Sequence, residues 1–399
     1  MFHLPRIFTG NRFMADPWVH DLRTKTTDPE PFIPPDMGVD EDEFTSPVSD
    51  STFSSPPTSG TFSPTSWPSS SSAASPESPV IPNYVHTIRA YRYRDKRGAW
   101  KHNPTLSPEE VRDMLDDDGE TYPSAVRIVT WNVDFMSEYL EERMTAALRY
   151  LERDVCMCRP GEGPVEPTVI CLQEVHRDVI ETILEDKWVR RNFQVTPISH
   201  TKWPEDATYG NITLVSSKLE LVKCEIMHFT MTEMTRTALA VYILLTQPGP
   251  RGGNVEMCIV NTHLESLPRG AMARPKQMEL CSRFLKQPGV RGGVVAGDMN
   301  AIGPGDSKLA LDCDLRDAWR GTDKDEEGFT WGYQGQNQGR YPCGRLDKIL
   351  YLPRRGYRMD PLERIGIGAK VKRLGEDVFI SDHYGLVTTL RMVPRRDSA

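Results

Sequence analysis

The chain lacks the cysteine spacing of a structural zinc site: its eight cysteines include no Cys-x-x-Cys pair, and the nearest neighbours are Cys156 and Cys158. Others, such as Cys171 and Cys258, sit in apolar runs that suit buried, reduced thiols, which points to a reducing compartment, cytosol or nucleus. Long apolar runs are missing too. The longest, residues 238–245, is far too short to span a bilayer, and residues 1–10 carry no extended apolar signal core. A soluble protein without membrane attachment is expected. Arg6 and Arg12 precede the first acid, Asp16, a weak cue for a mitochondrial address, which is disfavoured. Residues 46–83 contain no Lys or Arg and consist mostly of Ser, Pro and Thr. So little apolar surface does not offset the entropy of ordering, and residues 1–83 are expected to form a disordered tail. Its Ser-Pro pairs, at Ser46, Ser63, Ser75 and Ser78, are either phosphorylation sites or part of an unregulated solvated segment. A positive charge balance is absent as well, the formal net charge being -8. That argues at first against a nucleic-acid partner, but a catalytic face is able to be locally basic on an acidic protein, and a carboxylate-rich metal site itself lowers the total.

From residue 84 to 394 the pattern is that of one globular domain. Residues 126–130, 168–172, 212–216, 238–245, 257–262 and 293–297 read as strands that are apolar on both faces, as in a sheet covered on both sides. Leu140, Met144, Ala147, Leu148 and Leu151 have helical spacing, with Ser137 as the expected N-cap. Val179, Ile180, Ile183 and Leu184 mark a second helix and residues 278–285 a third. The alternation predicts an α/β fold with helices outside layered sheets.

Polar residues recur where these strands end. The first runs into Trp131-Asn132-Val133-Asp134, the second into Gln173-Glu174, and a later one into Asn261-Thr262-His263-Leu264-Glu265-Ser266. Another ends in Gly297-Asp298-Met299-Asn300, and Ser381-Asp382-His383 leads into a final apolar strand. Singly, each has an ordinary explanation: a turn or cap for Asp298-Asn300, helix initiation for Gln173-Glu174, a satisfied core histidine for His263 or His383. Jointly, five strand ends carrying Asn, Asp, Glu and His predict one oxygen-rich site with two imidazoles, a donor set that suits Mg²⁺ or Mn²⁺ better than Zn²⁺.

These five motifs, in this order over about residues 127–392, resemble the endonuclease/exonuclease/phosphatase superfamily of DNase I-like enzymes. The resemblance implies a four-layer α/β sandwich, two packed mixed β-sheets with helices outside, over a catalytic domain of residues 84–394. Asp134 after Trp131-Asn132, with Arg274 and Gln277 after Thr262–Ser266, is similar to the tyrosyl-DNA phosphodiesterase branch. The resemblance then implies hydrolysis of 5′-phosphotyrosyl bonds at single-stranded or frayed DNA ends by a nuclear, monomeric, Mg²⁺-dependent (or Mn²⁺-dependent) repair enzyme, with the cytoplasm as the other location. It assigns Glu174, assisted by Asn132 and Asp382, to the metal, and Asp298 to the attacking water. Asn300 would hold that carboxylate, and His263 and His383 would donate to the phosphate, with Asp382 orienting one imidazole. Asp134 carries a branch-specific role, expected as a pair with Arg236, unless Arg236 is an exposed strand-edge charge. Ser266 either meets a phosphate oxygen or caps a turn. Tyr209 faces substrate or lies in the core, and Trp331 and Tyr333 stack on bases or are core residues. Arg354, Arg355, Arg358, Lys370, Lys372 and Arg373 are the candidates for local positive surface.

The remaining alternatives keep the chemistry and change the substrate: an AP endonuclease, an RNA deadenylase, or a phosphoinositide or sphingolipid phosphodiesterase. A lipid substrate would call for an apolar loop or anchor that the sequence does not display. A catalytically silent binding module is the reading from another class, and the presence of Glu174, Asp298 and His383 argues against it.

Overall fold

In the computed structural model the described residues are 84–394, apart from 118–120, 160, 251, 336–338, 340 and 355. The expected disordered tail, residues 1–83 with its Ser-Pro pairs, lies outside them.

Eight strands carry the architecture: β1 (Ala125–Asn132), β2 (Thr168–His176), β3 (Tyr209–Ser216), β4 (Thr237–Thr246), β5 (Asn254–His263), β6 (Val290–Asp298), β7 (Asp347–Tyr351) and β8 (Gly385–Met392). One sheet is built on β4-β5-β6-β7, extended beyond β4 by Leu221–His228 and Tyr84–Ile88 and beyond β7 by the short Arg316–Asp317. The other is built on β8-β1-β2-β3 and continues through Phe193–Thr196, Tyr91–Arg94 and Ala99–His102. Both sheets are mixed. Each has one parallel pair, β1 with β2 and β5 with β6, among antiparallel neighbours.

Side-chain alternation explains how an unbroken apolar run becomes a strand buried on both faces. In β4, Leu239, Val241, Ile243 and Leu245 join the cluster between the sheets, while Ala238, Ala240, Tyr242 and Leu244 join a second cluster. That second cluster is completed by Met278, Cys281, Phe284 and Leu285 of helix α2 (Ala273–Leu285). The first cluster extends to Met144, Ala147 and Leu148 of helix α1 (Leu140–Tyr150) and to Ile180 and Ile183 of the short helix Ile180–Glu185. The expected sandwich with outer helices is therefore observed. Ser137 does not cap α1: the N-cap is Tyr139, in the left-handed region with no side-chain cap bond, and the Ser137 hydroxyl turns back to donate to the Asp134 carboxylate. Positive φ occurs just after β1, at Asp134 (57°), at the bulge within β2, at Glu174 (56°), and just after β6, at Asn300 (46°).

Two parallel pairs fix where the chemistry lies. Because β1 and β2 run the same way, Asn132 and Gln173 emerge side by side. In the other sheet His263, Asp298 and Asp347 are consecutive cross-strand partners on β5, β6 and β7. A bulge in β2 between Leu172 and Val175 breaks its register with β3 and re-aims Glu174. Ahead of Asp298 the strands approach so closely that only glycine fits: at Gly297 (φ 149°) an added Cβ would lie 1.8 Å from the Thr262 carbonyl oxygen.

The outer edge of β7 is anchored by buried cations. Arg345 reaches Asp317 (2.6 Å) and Asp323, and Lys348 donates to Asp323 (2.6 Å). Burial raises the pKa of Asp323, but hydrogen bonds and charge from Lys348 and Arg345 outweigh it and hold the carboxyl below its usual range.

Two outcomes test this frame. Gly297→Ala should cost about 3 kcal/mol or more by overpacking and strain, measured as a lower thermal midpoint. Gly253→Ala, whose Cβ would meet nothing within 4 Å, should stay within about 0.5 kcal/mol of the parent. For Asp323, a folded pKa below the unfolded value of about 3.9 means that its ionised form favours the native state. The stability gap between the parent and Asp323→Asn should be complete above about pH 5 and should close as pH falls through the folded pKa, as read by urea melts at a series of pH values.

Candidate active site

The strand exits bring Asn132, Glu174, His263, Asp298, Asp382 and His383 to one end of the two sheets, and all but Glu174 and Asp382 are almost wholly enclosed as residues. Asp298 is the hub. Its Oδ1 accepts from the Asn300 backbone N–H (2.9 Å) and its Oδ2 from Asn132 Nδ2 (3.0 Å), while His263 Nε2 stands 3.3 Å and His383 Nε2 3.8 Å from Oδ2. Burial resists its charge, yet the two imidazoles and these hydrogen bonds lower its pKa, so Asp298 is a carboxylate throughout the neutral range.

The two histidines are in opposite states. Arg236 Nη1 donates to His263 Nδ1 (2.9 Å); because a guanidinium only donates, Nδ1 accepts and the proton sits on Nε2, facing Asp298. Burial, then the Arg236 charge, push the His263 pKa well below the usual range, so this ring is neutral. At His383, Nδ1 is 2.8 Å from Asp347 Oδ2. Burial again opposes charge, but Asp347, Asp382 and Asp298 outweigh it and raise the pKa well above normal: this ring is an imidazolium. Asp347 is itself pushed up to about 6, by burial first and by Asp298. Its Oδ2 meets the ring, while two backbone N–H groups, of Leu346 and Asp347, bond to Thr330 Oγ1 and hold the turn.

Several sequence expectations are corrected. Asp382 does not orient an imidazole: it lies 3.9 Å from His383 Nε2 and accepts from Trp331 Nε1 at 2.9 Å, and Asp347 is the residue that orients His383. Asp134 pairs with Arg143 (3.0 Å), not with Arg236. Arg236 is not an exposed edge charge but is buried, donating to Tyr209 Oη (3.1 Å) as well as to His263. Trp331 is half-buried against Asp382, with its ring 6.4 Å from that of His383, whereas Tyr333 is exposed and stacks at 6.1 Å on Tyr384. Gln173 does not open a helix; it bridges the sheets. At other positions the structure gives a defined contact, and Asn300 holds the Asp298 carboxylate by its backbone N–H and not by its side chain. Ser266 Oγ donates to Asn300 Oδ1 (3.1 Å), Asn300 Nδ2 donates to the Leu264 carbonyl (3.0 Å), and Tyr209 stacks on Phe135 at 3.8 Å. Of the basic set, Arg358 pairs with Asp360 and Arg373 with Glu142, Lys370 lies over Phe379, and Arg355 is outside the described residues. Among the described residues no helix is long and apolar enough to cross a membrane.

Two sets of donors stand close enough together to be weighed as cation ligands. Asp298, Asp347 and His383 offer ligand atoms within 4.8 Å of one another, but the Asp347–His383 hydrogen bond already engages two of them. Beside them Glu174, whose Oε2 accepts from Phe135 N–H at 3.2 Å, has its carboxyl pushed up to about 7, by burial first and then by the neighbouring Asp382 and Asp298. Asp382 is likewise raised, by burial first. Carboxylates gathered at one point, each raised by burial and by neighbouring negative charge, are what an oxygen-liganded divalent cation neutralises, so the donor set fits one.

The model of the Endonuclease/Exonuclease/phosphatase family matches residues 129–383, which span all five strand-exit motifs. Tyrosyl-DNA phosphodiesterase 2 of Mus musculus is 27% identical over 278 residues, covering 68% of this chain and 67% of its own length. The Homo sapiens protein is 26% identical over 304 residues, 72% of each chain. The solved structure of D. rerio TDP2 complexed with a single-strand DNA product shares the fold, with a TM-score of 0.51 at 20% identity over 67% of this chain and 99% of that one. The chain thus belongs to the Endonuclease/Exonuclease/phosphatase family and is a hydrolase acting on phosphodiester bonds.

Proposed function

We propose that the protein hydrolyses 5′-phosphotyrosyl bonds at single-stranded or frayed DNA ends, with Mg²⁺ (or Mn²⁺) as cofactor, and so removes topoisomerase adducts as a monomeric nuclear repair enzyme. The observation that carries this is the buried Asp298–His263–His383 cluster beside Glu174, in a chain 27% identical over 278 residues to a tyrosyl-DNA phosphodiesterase 2.

Each side chain has a role that its environment permits. Asp298, ionised and held by Asn132 and Asn300, orients a water and accepts its proton as the oxygen attacks phosphorus. Neutral His263 keeps Asp298 aligned through Nε2 and is itself set by Arg236. His383, charged and fixed by Asp347, donates from Nε2 to the non-bridging oxygens as negative charge grows on them. Asn132, Glu174 and Asp382 would hold the cation, whose contribution is to neutralise charge on the phosphate. Asn132 Oδ1 already accepts from the Asp134 N–H at 3.0 Å and keeps a second lone pair for this. The P–O bond to tyrosine breaks, and phenoxide, with a conjugate-acid pKa of about 10, leaves with little general-acid help. The products are tyrosine and a 5′-phosphate end. Ser266, Tyr209, Arg236 and Trp331 line the remaining approach as substrate contacts.

Release of tyrosine from a single-stranded 5′-phosphotyrosyl oligonucleotide should occur with Mg²⁺, stop in EDTA, and fall by about 100-fold or more in Asp298→Asn. Cleavage confined to an abasic-site, RNA or phosphoinositide substrate would overturn the phosphotyrosyl reading. Asp347→Asn should lower kcat by about 100-fold with KM changed little, because the lost group orients His383 and does not touch substrate. An unchanged kcat would remove Asp347 from the mechanism.

A further inference from the structure

Arg143 lies on α1, outside the five strand-exit motifs in sequence, and its side chain is only 2% exposed. A surface helix normally turns its arginines to water. This one points inward, and burial lowers its pKa, opposed by the charges of Asp134, Asp382 and Glu174. Its guanidinium gathers both strand-to-loop segments that flank the cation donors. Nη1 donates to the Asp134 carbonyl (2.8 Å), and Nη2 to the Val133 carbonyl (2.9 Å), the Asp134 carbonyl (2.9 Å) and the Asp134 carboxylate (3.0 Å). From the same plane Nε reaches the Phe379 carbonyl (3.3 Å), just ahead of Ser381-Asp382-His383.

What hangs from those two segments is the site itself. The Asp134 N–H, in its strained conformation, holds Asn132 Oδ1, and Asn132 Nδ2 holds Asp298. The Phe135 N–H holds Glu174 Oε2. Ser381 Oγ donates to the Asn132 carbonyl (2.6 Å) and accepts from the His383 N–H (3.0 Å), closing the loop between the segments. We propose that Arg143 is a positioning residue that sets the cation-binding and water-orienting geometry by locking the Asp134 turn to the segment before Asp382, and that Asp134 acts as its counter-charge without touching substrate or metal. A planar donor fork facing carbonyls from two segments is a task for arginine; lysine supplies the charge from one point and spans fewer of the acceptors.

This inference rests on the phosphodiesterase reading, so its test includes a measurement that needs no turnover. Full-length Arg143→Lys, Arg143→Met and Ser137→Ala would be compared with the parent on whichever phosphodiester substrate the parent cleaves, and by calorimetric titration with Mn²⁺ alone. Outer partners of metal ligands typically contribute about 10- to 100-fold. Arg143→Met is expected to lose that much in kcat and in Mn²⁺ affinity, with KM within about threefold of the parent, and Arg143→Lys to recover part of both. Ser137→Ala, which removes only the hydroxyl donor to Asp134, should weaken Mn²⁺ binding by a few-fold at an unchanged thermal midpoint. Folded Arg143→Met with parental kcat and Mn²⁺ affinity would overturn the proposal. If neither Arg143 variant folds, parental Mn²⁺ affinity in Ser137→Ala would overturn it, and a few-fold loss would support it. A parent that binds Mn²⁺ but cleaves no phosphodiester would sink the functional reading and leave the Mn²⁺ comparison to judge Arg143.

Discussion

Everything at this site depends on two separate sheets presenting their ends in register, and a buried amide pair holds them there. Asn261 of β5 sends Nδ2 across the gap to the carbonyls of Leu172 (3.1 Å) and Ile212 (3.0 Å), at the point where the bulge interrupts β2–β3 pairing. Gln173 of β2 returns the contact, donating to Asn261 Oδ1 (2.8 Å) and Thr130 Oγ1 (3.0 Å). An apolar interface alone is non-directional and tolerates sliding. Buried amides that are matched only in one alignment do not, since a shift would leave polar groups unpaired at about 1–3 kcal/mol each. The bulge that aims Glu174 and the bridge that satisfies the backbone it exposes are thus one device.

With the sheets aligned, the chemistry follows from which partner each titratable group meets. Two imidazoles share the Asp298 carboxylate, and their protonation differs because a guanidinium faces one and a carboxylate the other. A neutral ring beside a cationic one lets a single carboxylate be aligned from one side while charge on the phosphate is met from the other. On the opposite flank the carboxylates crowd instead, and Glu174 is raised to about 7, by burial first and then by the neighbouring charges of Asp382 and Asp298.

Much of this was legible in the sequence, for a physical reason. A strand covered on both faces shows as an unbroken apolar run, and the first polar residues after it mark the exit; hence β1, β2, β5 and β6 and their terminal residues could be read directly. What escaped were residues whose role is set by a partner far along the chain. Asp347 opens a strand and does not end one, and its partner is 36 positions away; the polar Asp347-Lys348 pair heading the apolar Ile349-Leu350 run was the available signal. The bond from Trp331 to Asp382 spans 51 positions and has no local sequence signal. Arg143 resembled any solvent-facing helical charge, and Ser137 was read as a cap because Ser before a helix usually is one; the left-handed Tyr139 that starts α1 instead has no local propensity to announce it.

The same partners explain how the site tolerates strain. Asp134, Glu174 and Asn300 all have positive φ, a conformation that costs a non-glycine residue of order 1–3 kcal/mol. Each is pinned by bonds that a relaxed backbone would not make. Asp134 is held by Arg143 and by Asn132, Glu174 by the bulge behind it and the Phe135 N–H ahead of it, and Asn300 by Leu264 and Ser266. Asp134 and Asn300 bend the chain just past a strand end, and Glu174 bends it at the bulge within β2. Without these bends the side chains would follow the alternation of an extended strand and point to the two faces of the sheet. The strain is therefore the geometric requirement for convergence, and the hydrogen bonds that offset it are the same ones that orient the reacting groups.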